Sequence, residues 1–141
     1  MALNQGLKTL PYKPRVSLGS PMTANLELIQ SNPDLVQRFV KGVVMGHLLY
    51  AQRREEALPV VVRWTEAPDT AYEEQVYELM RPTWTTDGTL SDEQQRGVIA
   101  AAKQAVKTTE EFAPDQVFDF HFARQAYQDL QAANWHGLFP R

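Results

Sequence analysis

The residues best suited to acid–base or metal chemistry in this sequence are its three histidines. His47 lies on the apolar side of a helical pattern, so we interpret it as a packed, hydrogen-bonded residue of the core or of an interface. His121 precedes a helix start, where it could titrate near neutral pH or be an ordinary surface or cap residue. His136 lies in the tail. Because these histidines lack ligand spacing and the chain contains no cysteine, we predict no metal site.

The paired carboxylates offer no better case for catalysis. The glutamate pairs at 55–56, 73–74 and 110–111 fall near helix ends or on faces that we expect to be solvated. Catalytic carboxylates need environments that perturb their pKa values, and nothing in the sequence indicates that these side chains are buried. The sequence contains no glycine-rich phosphate loop, no G-x-S-x-G and no H-E-x-x-H. We therefore predict a protein that is not an enzyme and that uses no cofactor.

Aromatic side chains are a better lead to a binding site, and Trp84 is the unusual one. It falls in a polar loop among four threonines, Thr83, Thr85, Thr86 and Thr89. A tryptophan in a loop can stack on a flat ligand or seal a contact with a partner. It can also cover the end of a helical core, which is the interpretation that the sequence favours. Trp84 is therefore a candidate ligand-binding residue with a structural alternative.

Length and charge exclude several classes of protein. The chain has 141 residues and a formal net charge of −3, which indicates a single domain with room for a hydrophobic core. Arg53-Arg54 is followed at once by glutamates, so the sequence has no basic run and we predict no nucleic-acid partner. No apolar stretch approaches the roughly 20 residues of a membrane span. The opening residues have no apolar signal-peptide region, which predicts a cytoplasmic protein or a truncated form of an exported one.

The elements that position these residues begin with an irregular or extended segment at 1–21, which contains a possible short strand at Arg15–Leu18. Met22–Leu26 is predicted as a strand that runs into a short helical turn. A long helix follows, because Asn32 suits the N-cap and Pro33 suits the first helical position. The apolar stripe of that helix consists of Val36, Phe39, Val40, Val43, Val44, His47 and Leu48.

Four further helices are predicted at about 54–64, 70–80, 92–107 and 122–133. The first contains Pro59, which should kink it or delay its start. Asp69 or Thr70 caps the second, and Ser91 with Gln94 forms a capping box for the third. The faces predicted to be buried in the last three helices are Tyr72, Val76, Leu79 and Met80; Val98, Ile99, Ala102 and Val106; and Phe122, Ala126, Tyr127 and Leu130.

Three smaller features complete the prediction. Val117–Phe120 is expected to be extended, Asp119 to cap the last helix, and the apolar tail NWHGLFPR to dock on the domain. Gly42 and Gly46 lie four residues apart beside the apolar stripe. They either allow a neighbouring helix to approach closely or weaken their own helix by roughly 1 kcal/mol each.

The order of these segments is similar to that in a known family. Residues 23–64, TANLELIQSNPDLVQRFVKGVVMGHLLYAQRREEALPVVVRW, resemble the C-terminal part of NMT1/THI5-like and SsuA-like substrate-binding proteins of ABC transporters. The segment ELMRPTWTTDGTLSDEQ at 78–94 resembles their Trp, Asp-Gly and Ser pattern, and VFDFHFARQAYQDL at 117–130 resembles the return of the chain and the final helix. The likeness extends from about residue 15 onward. Each motif is loose, and their order carries the resemblance.

The resemblance implies the C-terminal segment of a type II periplasmic-binding-protein α/β fold. We expect one domain over 1–141 that is mainly α with one or two short strands and is mostly helical over 22–141. The implied function is the solute-binding component of an extracytoplasmic ABC importer for a small organic anion or heterocycle, such as a sulfonate, nitrate or thiamine precursor. Ser20 and Thr23 are the implied ligand contacts, and the absent first lobe would supply the rest. The alternative is a stand-alone helical interaction module, derived from that family, that dimerises or docks a partner.

Overall fold

The computed structural model describes residues 21–67, 69–81, 84–85 and 87–139. These residues are mainly helical, as predicted, and none of them forms a β-strand. The helices are α1 (Leu26–Ser31), α2 (Pro33–Gln52), α3 (Arg54–Thr65), α4 (Thr70–Met80), α5 (Asp92–Val106), α6 (Pro114–Val117) and α7 (His121–Ala132), followed by a 3-10 helix at Trp135–Gly137.

The helix starts confirm most of the predicted caps. Asn32 precedes α2, and its side-chain oxygen accepts the backbone N–H of Leu35 at 3.2 Å. Asp69, rather than Thr70, caps α4 by accepting the N–H of Tyr72 at 2.7 Å. These side chains satisfy backbone donors that have no partner within their helices.

Both bonds of the predicted capping box are present at the start of α5. The backbone N–H of Gln94 donates to the Ser91 hydroxyl at 3.3 Å, and the N–H of Ser91 donates to the Gln94 side chain at 2.9 Å. The helix ends at Val106, where Lys107 takes a left-handed conformation with φ of 56°. Four consecutive residues supply both hydrogen bonds of this helix start, so the sequence was sufficient to predict it.

The core is built by packing α2 against α7, with the C-terminal tail folded over them. Leu48, near the C-terminal end of α2, belongs to this core and has no exposed surface. The tail docks as predicted, since Leu138 and Phe139 are both buried. The buried cluster consists of Val36, Val40, Val44, Leu48, Phe122, Ala123, Ala126, Leu130, Leu138 and Phe139.

Several predicted buried faces were wrong. Phe39 and Val43 of α2 remain 65% and 41% exposed, because α7 contacts only the side of the helix that carries the residues at i, i+4, i+8 and i+12 from Val36. In α4, Tyr77 and Glu73 are buried while Leu79 is 75% exposed. In α5, Ile99 is buried as predicted, whereas Ala102 and Val106 face solvent.

The strand predicted at Met22–Leu26 was also wrong, because Asn25 accepts the N–H of Glu27 at 2.8 Å and starts α1 at Leu26. The short helical turn predicted to follow that strand is present as α1. Val117–Phe120 was predicted to be extended; Val117 instead ends α6, whereas Phe118 is extended with φ of −119° and ψ of 130°. The strand predicted at Arg15–Leu18 lies outside the described residues.

Two expectations about helix-perturbing residues have different outcomes. Pro59 lies inside α3 but does not delay its start, since the helix begins at Arg54. A Cβ atom added at Gly42 or Gly46 would meet nothing within 4 Å. No described helix therefore approaches α2 at these glycines, and close intramolecular packing does not explain them.

Candidate functional site

The structure describes two of the three residues predicted to contact a ligand. Ser20 lies outside the described residues. Thr23 is exposed in the segment that precedes α1, and Trp84 is half-buried in the connection between α4 and α5. Two other features are candidates for a functional site: the surroundings of Trp84 and the apolar surfaces that remain exposed to solvent.

Trp84 packs into a cluster of aromatic rings on the C-terminal half of α2. Its ring centroid lies 4.7 Å from that of Tyr50, 5.1 Å from that of Tyr77 and 6.1 Å from that of His47. Tyr50 and Tyr77 meet edge to face at 5.1 Å. These are favourable separations for aromatic pairs. The ring of Trp84 thus covers helical side chains, as the structural alternative predicted.

Polar contacts hold this aromatic cluster in place. The Tyr77 hydroxyl donates to the carbonyl oxygen of Ala51 at 3.1 Å. The guanidinium of Arg54 lies 5.7 Å from the centroid of the Tyr77 ring and pairs with Glu74 at 3.2 Å and Glu78 at 3.8 Å. Since the Arg54 side chain remains 40% exposed, these ion pairs fix orientation more than they add stability.

His47 is hydrogen-bonded, as predicted. Its Nε2 atom lies 2.6 Å from the carbonyl oxygen of Thr85. Because a carbonyl oxygen only accepts, Nε2 carries the proton in this contact. The imidazole therefore attaches the loop around Trp84 to α2, and its role in this structure is to position the loop.

Burial raises the pKa of Tyr50, and the nearby charge of Glu73 and the phenol of Tyr77 raise it further. The unfolded chain therefore releases this proton at a lower pH than the folded chain does. We expect the contribution of Tyr50 to the free energy of unfolding to be complete below about pH 10. It should be lost as the pH rises from there through the folded pKa.

Urea unfolding between about pH 8 and pH 11 tests this expectation. The Tyr50→Phe variant, which cannot ionise at this position, should lose less stability over that interval than the wild-type chain. Tyr72→Phe, a change of a half-buried tyrosine outside the cluster, is the control and should follow the wild type. Identical alkaline losses in Tyr50→Phe and the wild type would contradict the assignment.

His121 and Asp119 form a separate pair at the start of α7. The imidazole Nδ1 and the backbone N–H of His121 lie 2.5 Å and 3.0 Å from the Asp119 carboxylate. Partial burial acts to raise the pKa of Asp119, but these two hydrogen bonds and the charges of His121 and Arg124 outweigh it and lower that pKa. Both side chains are more than half exposed. The prediction that Asp119 caps the last helix was wrong, because the N-cap of α7 is Phe120; Asp119 lies one residue earlier and accepts the N–H of His121, the first residue of the helix.

Two kinds of site find no support in the part of the chain that the structure describes. No group of three or more histidine or acidic side chains there could hold a metal ion. None of the described helices combines the length and apolar character needed to cross a bilayer.

Comparison with known proteins does not identify a relative. No family model, no curated protein and no solved structure matches this chain.

The main feature that the sequence analysis missed is a solvent-exposed apolar surface along α2. We call the surface formed by Leu35, Phe39, Gly42, Val43 and Gly46 the outer face of α2. Its three large side chains are 42%, 65% and 41% exposed. The sequence did contain a signal, because apolar residues in adjacent pairs at 35–36, 39–40 and 43–44 form an arc too wide for one neighbouring helix to cover.

Proposed function

We propose that this chain is a helical interaction domain that binds a companion through the outer face of α2. The observation that carries the proposal is Phe39, an aromatic ring left 65% exposed in the middle of a long, well-capped helix. Gly42 and Gly46 lie beside it with open space above their backbones. A ring next to two such depressions is suited to pack against another helix.

The same face of α2 is already used for packing at its other end. Four residues spaced at i, i+4, i+7 and i+11 lie along one side of the helix: Phe39, Val43, Gly46 and Tyr50. At Tyr50 this side is covered by Trp84 and by the ring of Tyr77. The bare part therefore continues an existing packing seam.

A second copy of the chain is the companion that this pattern fits best. If two α2 helices cross antiparallel with the twofold axis between residues 42 and 43, Phe39 of each copy faces Gly46 of the other. In the same register Gly42 faces Val43. Each ring then meets a residue without a side chain, so the surface is complementary to itself, which an isologous dimer requires.

The size of the surface predicts a weak dimer. The outer face of α2 spans residues 35–46, so at 1.5 Å per residue it is about 18 Å long, and a helix about 10 Å wide then offers roughly 180 Å². Stable interfaces bury about 800 Å² per partner. We therefore expect weak association that increases with protein concentration.

The resemblance to substrate-binding proteins gives a second candidate, in which the companion is the first lobe of a solute receptor. The continuous order of α2 and α3, with only Arg53 between them, agrees with the order that the resemblance implied and supports this candidate. The chain would then serve an extracytoplasmic ABC importer and contact its permease. It would capture a sulfonate, nitrate or thiamine precursor only together with that lobe.

Sedimentation velocity over a range of concentrations tests the interaction. We expect the wild-type chain to shift from monomer toward dimer and Phe39→Ala to remain monomeric at the same concentrations. Trp64→Ala is the matched control, because it also truncates an aromatic side chain on a helix surface, one that is 77% exposed. It should dimerise like the wild type.

Two outcomes would contradict self-association through α2. One is a wild-type chain that remains monomeric at every concentration, and the other is equal dimerisation of Phe39→Ala and the wild type. The solute-receptor candidate is favoured instead if the chain is monomeric and its gene lies next to genes for a first lobe, a permease and an ATPase.

A further inference from the structure

A cleft of about 420 Å³ lies between α5 and the chain that returns toward α6. The return begins at Lys107, and the N–H of Thr108 donates to the carbonyl of Lys103 at 3.2 Å. The N–H of Ala113 donates to the side chain of Gln116 at 2.7 Å and fixes the start of α6. These local hydrogen bonds thus fix the backbone on the side of the cleft opposite α5. The volume lies within the range of small-molecule sites, about 300–1,000 Å³.

The α5 wall of this cleft has a cation on each side of an apolar centre. The cleft is lined on this side by Arg96, Ile99 and Lys103. Their spacing of i, i+3 and i+7 places them on one face of the helix. Ile99 is only 8% exposed. Phe112 and Pro114 add apolar surface from the returning chain.

The two cations differ in what they contact. The Lys103 ammonium pairs with the Glu111 carboxylate, and the Lys103 side chain is only 19% exposed. Arg96 is exposed and forms no ion pair within the described ranges. One end of the cleft is therefore neutralised, while the other presents a guanidinium whose hydrogen-bond donors are available.

We propose that this cleft binds a small carboxylate that carries an apolar body. The carboxylate accepts two hydrogen bonds from the Arg96 guanidinium, whose planar fork matches its geometry. The apolar body lies against Ile99 and Phe112. The net charge of −3 gives the chain no general attraction for anions, so binding depends on this local arrangement.

Amide chemical shifts during titration of the full chain with hexanoate test the proposal. Shifts should concentrate at residues 96–103 and 111–113. Hexanol, which keeps the apolar chain but lacks the charge, should bind at least about tenfold more weakly, because it loses the charged hydrogen bonds to Arg96. Hexanoate should bind to Arg96→Gln at least about tenfold more weakly for the same reason. Arg63→Gln, which removes an exposed arginine from α3, is the control and should bind as the wild type does.

The proposal is overturned if hexanoate causes no saturable shifts, if the shifts fall outside the cleft, or if Arg96→Gln and the wild type bind equally. The result is independent of the association through α2, because none of the residues lining the cleft lies on that helix. A Phe39→Ala monomer should therefore bind hexanoate with the same affinity as the wild-type chain.

Discussion

Leu48→Ala should lower the free energy of unfolding by about 2–5 kcal/mol. Leu48 has no exposed surface and lies among the α2 and α7 side chains. Removing its isobutyl group loses the transfer free energy and leaves a cavity that two packed helices can close only in part. Because small domains are stable by only about 5–15 kcal/mol in total, this single change should be visible in any equilibrium denaturation experiment.

Leu79→Ala is the matched control for this prediction. It makes the same chemical change on α4, but the Leu79 side chain is 75% exposed. We expect its effect to lie within about 0.5 kcal/mol of the wild type. Urea unfolding followed by far-ultraviolet circular dichroism measures both variants. Equal effects of the two changes would mean that α2 and α7 do not form the core described above.

Tyr77→Ala should cost about 3–5 kcal/mol, the range for removing a buried aromatic ring. Tyr77 is 2% exposed, and its ring contacts both Tyr50 and Trp84. Its removal leaves Trp84 without one wall of its packing site. It also leaves the carbonyl of Ala51 without the hydroxyl that now donates to it.

Tyr77→Phe separates these two contributions, because it keeps the ring and removes only the hydrogen bond. We expect it to cost about 1 kcal/mol. The indole N–H resonance of Trp84 provides a local readout, which should move strongly in Tyr77→Ala and little in Tyr77→Phe. If the Trp84 resonance is unchanged in Tyr77→Ala, the aromatic cluster does not form as described.

The predictions that succeeded depended on short stretches of sequence. Two helix starts are specified by hydrogen bonds between residues three positions apart. The residues involved are Asn32 with Pro33, and Ser91 with Gln94. The packing face of α7 was also predictable. Its apolar residues are few and strictly spaced, so only one side of that helix could be buried.

The burial predictions that failed required knowledge of a neighbour. Leu79 and Met80 of α4 are apolar, yet Tyr77 and Glu73 face inward, because α4 packs on α3 and beside Trp84. No local pattern in α4 indicates which side its neighbours will occupy. The strand predicted at Met22–Leu26 failed for a different, local reason, because the Asn25 cap starts α1 at Leu26 and residues 22–25 form no regular structure.

The sequence by itself determined where α2, α4 and α5 begin and that the described part of the chain is mainly helical. Only the tertiary structure decided which half of the wide apolar arc of α2 is buried. It alone showed that Trp84 packs against aromatic rings and that the Phe39 side chain is 65% exposed. The physical reason is one of range, because a cap is satisfied within a single turn, whereas burial depends on segments distant in sequence.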